Sequence, residues 1–439
     1  MKGIAKNKES RMLFRNTILY SLSGALYALT PLALMPLLTK SLNIDEYAYY
    51  VLISSAIGFT IPFIGFGAVN SVIIRYFSLG KSEFNIYLSS VFGVMFFSFI
   101  CFMLAVLFLP NSIISFFEPG VEFLLFSICM AFLAAISLMF VSLHVASANA
   151  MGYLRAYASY GIILFASTVL FCGFYDYGLI GACLGLACGY VAFVIASCLG
   201  SKVAKLELKW KYANARDAVQ FGSPLMIHSG AVVFISLSDR FAVSNWLGTD
   251  AVASYGVTVQ LALMVGFFFH SMNKVVQPII YSLLKSGGDS NQRIAISYAY
   301  LYCIAVFIFS SLYLLVFPFL VLWFAGIKYR LPIDVYFFII LGGAFNSMYL
   351  VISHFIYFKE KTLILSLITF SCAIAYFAFL LVFTPRYGLS GVAFSFALVN
   401  GFMLFLSILL ARLCTSVNWF DKSLLSSLLY KAWGLNRII

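Results

Sequence analysis

The sequence predicts an all-α polytopic membrane protein of about twelve transmembrane helices, arranged as two parallel-repeat six-helix lobes around a central cavity. Three observations carry that prediction. Apolar segments about 20 to 27 residues long follow one another along the chain, each enough to cross a hydrocarbon core about 30 Å thick. Basic residues collect in alternate gaps between them, and two stretches of the first half recur in the second.

The apolar segments lie near 13–39, 48–72, 86–109, 121–147, 155–174, 178–200, 219–246, 251–274, 294–322, 333–356, 361–383 and 388–411. An even number of crossings puts both ends on one side. Of the 27 Lys and Arg, 22 fall in the gaps on that side, and only Lys40, Arg240, Lys328, Arg330 and Arg386 on the other. The positive-inside rule makes that side, with both termini, cytoplasmic. At 63% apolar and 10% charged the chain has too little polar surface for a soluble globule of 439 residues. Its net charge of +12 describes topology and attraction to anionic headgroups, and no nucleic-acid partner is expected. The first apolar run can itself span and is followed by others, so it reads as a retained helix rather than a signal peptide. All nine Cys sit in or at the edge of spans without a Cys-x-x-Cys pair. They read as packing residues, with no disulfide framework, no metal site and no cofactor.

The repeat aligns Leu42-Asn-Ile-Asp45-Glu-Tyr-Ala-Tyr-Tyr50 with Leu247-Gly-Thr-Asp250-Ala-Val-Ala-Ser-Tyr255, and Tyr177-Gly-Leu-Ile-Gly181-Ala with Tyr387-Gly-Leu-Ser-Gly391-Val. Six spans per half with equal orientation make a parallel repeat about an axis along the membrane normal. The divisions drawn from it are an N-terminal lobe at 1–200, a cytoplasmic linker at 201–217, a C-terminal lobe at 218–411 and a tail at 412–439. Leu424, Leu425, Leu428, Leu429 and Trp433 give the tail the spacing of an interfacial helix. Gly181, Gly185 and Gly189 form a small-residue stripe, which is a packing device.

Two related bundles that rock against each other have the geometry of a transporter. Lipid-facing polar groups are costly, so polar stripes should line a cavity or a helix seam. On the first span Asn16, Tyr20, Ser23, Tyr27 and Thr30 share one face, read as cavity-lining or as helix-to-helix bonding. On the eighth, His270, Asn273, Lys274 and Gln277 precede Pro278, read as substrate-facing or as a wetted helix end. On the seventh, His228 and Asp239 share a face beside Arg240, as gating or coupling groups or as an ion pair near the outer boundary. His144 and His354 hold corresponding places in the fourth and tenth spans. No nucleotide-binding Gly-x-x-x-x-Gly-Lys-Ser/Thr loop is present, so transport would be secondary or facilitated, and no catalytic group is assigned. Arg11, Arg15, Arg75 and Lys274 lie near inner helix ends. As a vestibule they would suit a diphosphate, whose oxygens accept charge-assisted bonds, though the positive-inside bias accounts for each singly.

Asn16-Thr-Ile-Leu-Tyr through Pro31 to Leu37-Leu-Thr-Lys40-Ser-Leu, then Glu46-Tyr-Ala-Tyr-Tyr50, resembles the start of bacterial polysaccharide-type flippases of the multidrug/oligosaccharidyl-lipid/polysaccharide exporter superfamily. Gly65-Phe-Gly67 leading to Arg75-Tyr-Phe, Phe221-Gly-Ser-Pro224, Asp239-Arg240, Leu247-Gly, Tyr255 and Pro278 extend the likeness over essentially the whole chain. The resemblance implies an O-antigen or similar repeat-unit flippase of the bacterial inner membrane, moving undecaprenyl-diphosphate-linked oligosaccharide to the outer leaflet. Membrane lipids and polysaccharide polymerase machinery are its expected partners, and a monomer is the default state. It also implies a cationic lumen, whereas here no Lys or Arg lies in the middle of a span. Arg15, Arg75 and Lys274, with His270 and Asn273, are the expected substrate-binding residues. Two rival readings stay open: a cation-coupled drug antiporter built on Asp239, and a membrane-embedded polymerase or glycosyltransferase.

Overall fold

A computed structural model describes residues 2–110, 117, 119–200, 207, 209–359 and 361–419. The expected interfacial helix of the tail and part of the linker, residues 201–206 and 208, lie outside the described residues. The helices are α1 (Lys2–Ser41), α2 (Ile44–Thr60), α3 (Ser71–Ser78), α4 (Lys81–Leu107), α5 (Val121–Ala146), α6 (Ala150–Thr168), α7 (Gly178–Gly200), α8 (Tyr212–Leu247), α9 (Thr249–Ser286), α10 (Asp289–Phe324), α11 (Ile333–Phe358) and α12 (Thr362–Arg412). A tight 3₁₀ stretch, Ile61–Asn70, joins α2 to α3, and a wide π turn, Val169–Phe174, continues α6.

Eleven helical segments among the described residues are long and apolar enough to cross a membrane. The last of them is two crossings. Its backbone breaks at Gly388 (φ 58°, ψ −138°), and the rings of Tyr376 and Phe396 lie 6.4 Å apart. Twenty residues of straight helix would separate them by about 30 Å, so the chain has folded back into a hairpin. The protein is therefore a multi-pass, all-α membrane protein with the twelve crossings that the ladder of apolar segments predicts.

Such helices must satisfy their own polar groups in lipid. Ser23, Thr30, Thr39, Ser55, Ser137 and Thr168 do so by donating to the carbonyl four residues earlier, at 2.6 to 2.9 Å. Ends are capped explicitly where the chain turns sharply. Asn43 Oδ1 accepts from Glu46 N at 2.8 Å, and Glu46 Oε2 accepts from Asn43 N at 3.0 Å, a reciprocal box that starts α2. Glu46 Oε1 also takes the free N–H of Leu179 at 3.3 Å, joining the starts of α2 and α7.

The Tyr-Gly-Leu repeat has a physical reason. Gly178 and Gly388 both stand at positive φ, 54° and 58°, where the chain turns into the last crossing of its half. Three residues on, Gly181 presses on the backbone of Phe171, and Gly391 on that of Phe383. Each turn thus needs one glycine for its dihedral and another for its closeness.

Contacts divide the chain into Met1–Ala253 and Ser254–Ile439. In the first unit α6 packs against α1 and α7, α5 against α2, α4 and α7, and α8 lies across Ile61–Asn70, α2 and α4. Gly181, Gly185 and Gly189 admit the α6 chain, meeting Phe171, Thr168 and Leu164. In the second unit α11 packs on α10 and on α12. The contact boundary falls about one crossing later than the repeat boundary. Helix α8, the first crossing of the second half by repeat, packs with the first unit because Gly67 and Gly222 let the two backbones meet there.

Candidate functional site

The polar stripe of α1 faces α6. Tyr20 lies edge-on to Tyr153 at 4.9 Å, and Tyr27 contacts Tyr157 at 5.4 Å and Tyr160 at 5.5 Å. Tyr153, Tyr157 and Tyr160 have the same i, i+4, i+7 spacing as the α1 stripe, so two tyrosine ladders mesh, and Tyr190 of α7 extends them at 5.2 Å from Tyr160. Ser23 and Thr30 are buried and turned back onto α1. Asn16 and Tyr20 are half-buried, and Tyr27 keeps 41% of its surface exposed. The face is thus a seam at its small residues and an open, hydroxyl-bearing aromatic wall at its tyrosines. Tyr OH groups both donate and accept, which suits sugar hydroxyls. The spacing of Tyr153, Tyr157 and Tyr160 was the available signal for the second ladder.

The basic residues separate into free and engaged. Arg15 is exposed and makes no ion pair among the described residues. Arg11 belongs to the turn of α1 whose side chains are not described. Arg75, at the end of α3, is held by Asp217 of α8, Nε to Oδ2 at 2.9 Å and Nη2 to Oδ1 at 2.5 Å. Tyr87 of α4 donates to the same Oδ2 at 3.0 Å. Asp217 and Tyr87 belong to this site although sequence reasoning passed over them.

On α9 the predicted stripe divides. His270 and Lys274 are exposed and Gln277 is partly so, while Asn273 is 8% exposed and its Oδ1 accepts from His354 Nε2 of α11 at 3.0 Å. Tyr281 stands edge-on to the same imidazole. On α8, Asp239 and Arg240 are 2% and 6% exposed and paired at 2.6 Å, with Arg240 Nη1 also donating to Ser236 O. They form a buried ion pair. His228 is half-buried one long stretch of helix away.

Among the described residues no three His, Cys, Asp or Glu converge on a point that could hold a metal. A groove of about 360 Å³ on α11 and the second limb of α12 is walled by Phe338, Phe345, Phe394, Phe402 and Phe405. It offers nothing to hold a charge, which leaves the free and tied basic groups and the tyrosine wall as the polar equipment.

These crossings define a polytopic all-α membrane protein. The chain belongs to the polysaccharide biosynthesis protein family, whose model matches residues 13–284. No curated protein matches it. Among solved structures it is similar to the lipid II flippase MurJ in an inward closed conformation, at 16% identity and TM-score 0.72, covering 98% of this chain and 93% of that one. It is similar also to an inward-facing multidrug resistance MATE family transporter of the MOP superfamily, at 14% identity and TM-score 0.71, covering 90% and 97%. A MOP superfamily transporter from Pyrococcus furiosus described as having a binding pocket of reversed polarity aligns at 14% identity and TM-score 0.60, over 92% and 95%. At these identities the likeness establishes a shared fold.

Proposed function

We propose that this protein is a flippase that carries an undecaprenyl-diphosphate-linked oligosaccharide, an O-antigen or similar repeat unit, to the outer leaflet of the bacterial inner membrane. It works by alternating access, without a cofactor, and acts as a carrier rather than an enzyme. Arg15, Arg75 and Lys274 receive the diphosphate, with His270 and Asn273 near the last of these. The sugar lies against Tyr20 and Tyr27, and the polyprenyl chain stays in lipid, where burying it costs nothing. Both termini are cytoplasmic in this reading, the chain acts as a monomer, and polysaccharide polymerase machinery receives its product.

The observation that carries the reading is the meshed tyrosine wall in a chain whose family concerns polysaccharide biosynthesis. Hydroxyl-bearing aromatic surface suits a glycan, and the fold is one that a lipid II flippase shares. The antiporter reading is weakened by one specific contact. It needs a carboxylate free to hold a cation, and Asp239 already has Arg240 against it at 2.6 Å.

The test is transbilayer movement of a fluorescent polyprenyl-diphosphate oligosaccharide in liposomes carrying the purified protein. Protein-dependent flipping that drops at least about tenfold in Arg15→Ala, at equal protein abundance, is expected. Dye efflux dependent on Asp239 with no flipping would replace this reading with the antiporter.

A further inference from the structure

Arg75 is the one proposed phosphate-binding residue whose guanidinium is already filled by an acid in the described structure. The fork of Arg75 meets both oxygens of Asp217, at 2.9 and 2.5 Å, in the two-bond arrangement that guanidinium also makes with phosphate. A carboxylate in that place occupies the seat a diphosphate oxygen would take.

The two sides of the pair are held unequally. Asp217 is braced: Tyr87 donates to its Oδ2, and the chain before α8 is tied to α4 by Glu207 N to Ser89 Oγ at 2.8 Å and Lys211 N to Ser90 Oγ at 3.1 Å. Trp210 also sits against Gly93 of α4. Arg75 rides on an eight-residue helix that follows three consecutive residues at positive φ, Gly65, Phe66 and Gly67 at 74°, 52° and 74°. Such a run departs sharply from helix and can absorb rotation. Beside it, Gly67 and Gly222 touch, since an added Cβ on either would lie 2.3 to 2.4 Å from the other's backbone. The 3₁₀ stretch Ile61–Asn70 therefore meets α8 at a fixed contact, and α3, which continues it, is tied to α8 five residues before Gly222 by Arg75 and Asp217.

Resting on the diphosphate reading above, we propose that Asp217 is a resident counter-ion that occupies Arg75 in the unloaded carrier and is displaced by the diphosphate of the substrate. Loading then unties α3 from α8 next to the Gly67–Gly222 contact, which stays in place. The exchange is balanced by the surroundings. Side chains of Arg75 and Asp217 are 32% and 39% exposed, so an incoming anion can reach the pair, and ion pairs this exposed are weak enough to yield. The freed carboxylate keeps the Tyr87 hydroxyl and water as partners, so no charge is left bare. A diphosphate brings more negative charge than a carboxylate and competes for the same fork.

The experiment is calorimetric titration of farnesyl diphosphate into the full-length protein in nanodiscs of zwitterionic lipid, with farnesol as the uncharged control. Four proteins are compared: wild type, Asp217→Asn, Arg75→Gln and the double variant. Removing the counter-ion should tighten binding roughly threefold to tenfold, and removing Arg75 should weaken it by a similar factor. In the Arg75→Gln background, Asp217→Asn should change affinity by less than about twofold, because the acid acts through that arginine. Should Asp217→Asn not be recovered folded, Asp217→Ser carries the same expectation. A merely structural tie lowers yield and leaves affinity unchanged or weaker in Asp217→Asn. That result, or equal tightening in both backgrounds, would overturn the counter-ion while leaving the diphosphate reading standing; no diphosphate binding by any of the four would overturn both.

Discussion

His144 and His354 stand at matching places 210 residues apart, and they are bonded differently. Both are buried, 1% and 4% exposed. His144 Nε2 donates to Ser197 O of α7 at 3.0 Å, and its Nδ1 accepts from Asn149 Nδ2 at 3.4 Å. Asn149 in turn donates to Gly200 O at 3.1 Å and caps α6 through Gly152 N. His354 has its bond to Asn273, and its Nδ1 is buried with no partner among the described residues. The two places share a buried imidazole and differ in its company. The first half uses it as a brace across α5, α6 and α7, whereas the second uses one bond to position Asn273 beside the exposed His270 and Lys274. At this imidazole the first half is bonded through both ring nitrogens, and the second through one.

The sharpest way to break that contrast is at glycines in the two halves. A Cβ on Gly222 would lie 2.3 Å from the carbonyl carbon of Gly67, while around Gly343 of α11 nothing lies within 4 Å. Gly222→Val should abolish folded protein, a loss beyond about 4 kcal/mol, and Gly343→Val should leave it near wild type. Monodisperse yield after extraction reads both. Similar yields would show that the backbones of Gly67 and Gly222 can move apart and do not form a fixed contact.

A smaller effect separates the paired turns. Alanine at Gly178 must adopt a positive φ, which costs about 1 to 2 kcal/mol, and at Gly388 it must adopt φ 58° with ψ −138°, outside the left-handed helical region and costlier still. At Gly178 the new methyl also meets Glu46 Oε1 at 2.3 Å, an oxygen tethered near Leu179 N, whereas at Gly388 it meets open space. The backbone strain at Gly388 has no escape, whereas the far end of the Glu46 side chain can turn, so Gly388→Ala should lower the thermal unfolding temperature more than Gly178→Ala. The reverse order would mean that Glu46 is a fixed junction of α2 and α7 that cannot move aside.

Much of this is legible in the sequence. Apolar length gave every crossing, including the two inside α12, and Tyr-Gly-Leu marked both tight turns, because span length and glycine dihedrals are local properties. The candidate site was legible only as far as periodicity reaches. Spacing put Asn16, Tyr20, Ser23, Tyr27 and Thr30 on one face, but what that face meets depends on α6, more than a hundred residues away. Asn273 joined His270 and Lys274 in a stripe about 100° wide, enough for one edge to turn inward onto His354 while the other stays exposed. Asp217 had no place in that reading, since nothing local ties it to an arginine 142 residues earlier.

The least expected difference lies at the histidines themselves. His→Ala at either place removes the same volume from a buried site, so the void contributes similarly and the comparison reports mainly on bonds. His144→Ala breaks two contacts and strips Asn149 of a partner at the turn between α5 and α6. Interhelical hydrogen bonds in membrane proteins are worth on the order of 1 kcal/mol, so the loss should be about 1 to 2 kcal/mol. His354→Ala breaks one bond and also removes a buried nitrogen whose desolvation was uncompensated, which offsets part of the loss. It should cost less than half as much, measured by thermal unfolding in the same detergent. Equal losses would mean that the Nδ1 of His354 is satisfied in the membrane by a bound water, and that both halves carry the same brace with different partners.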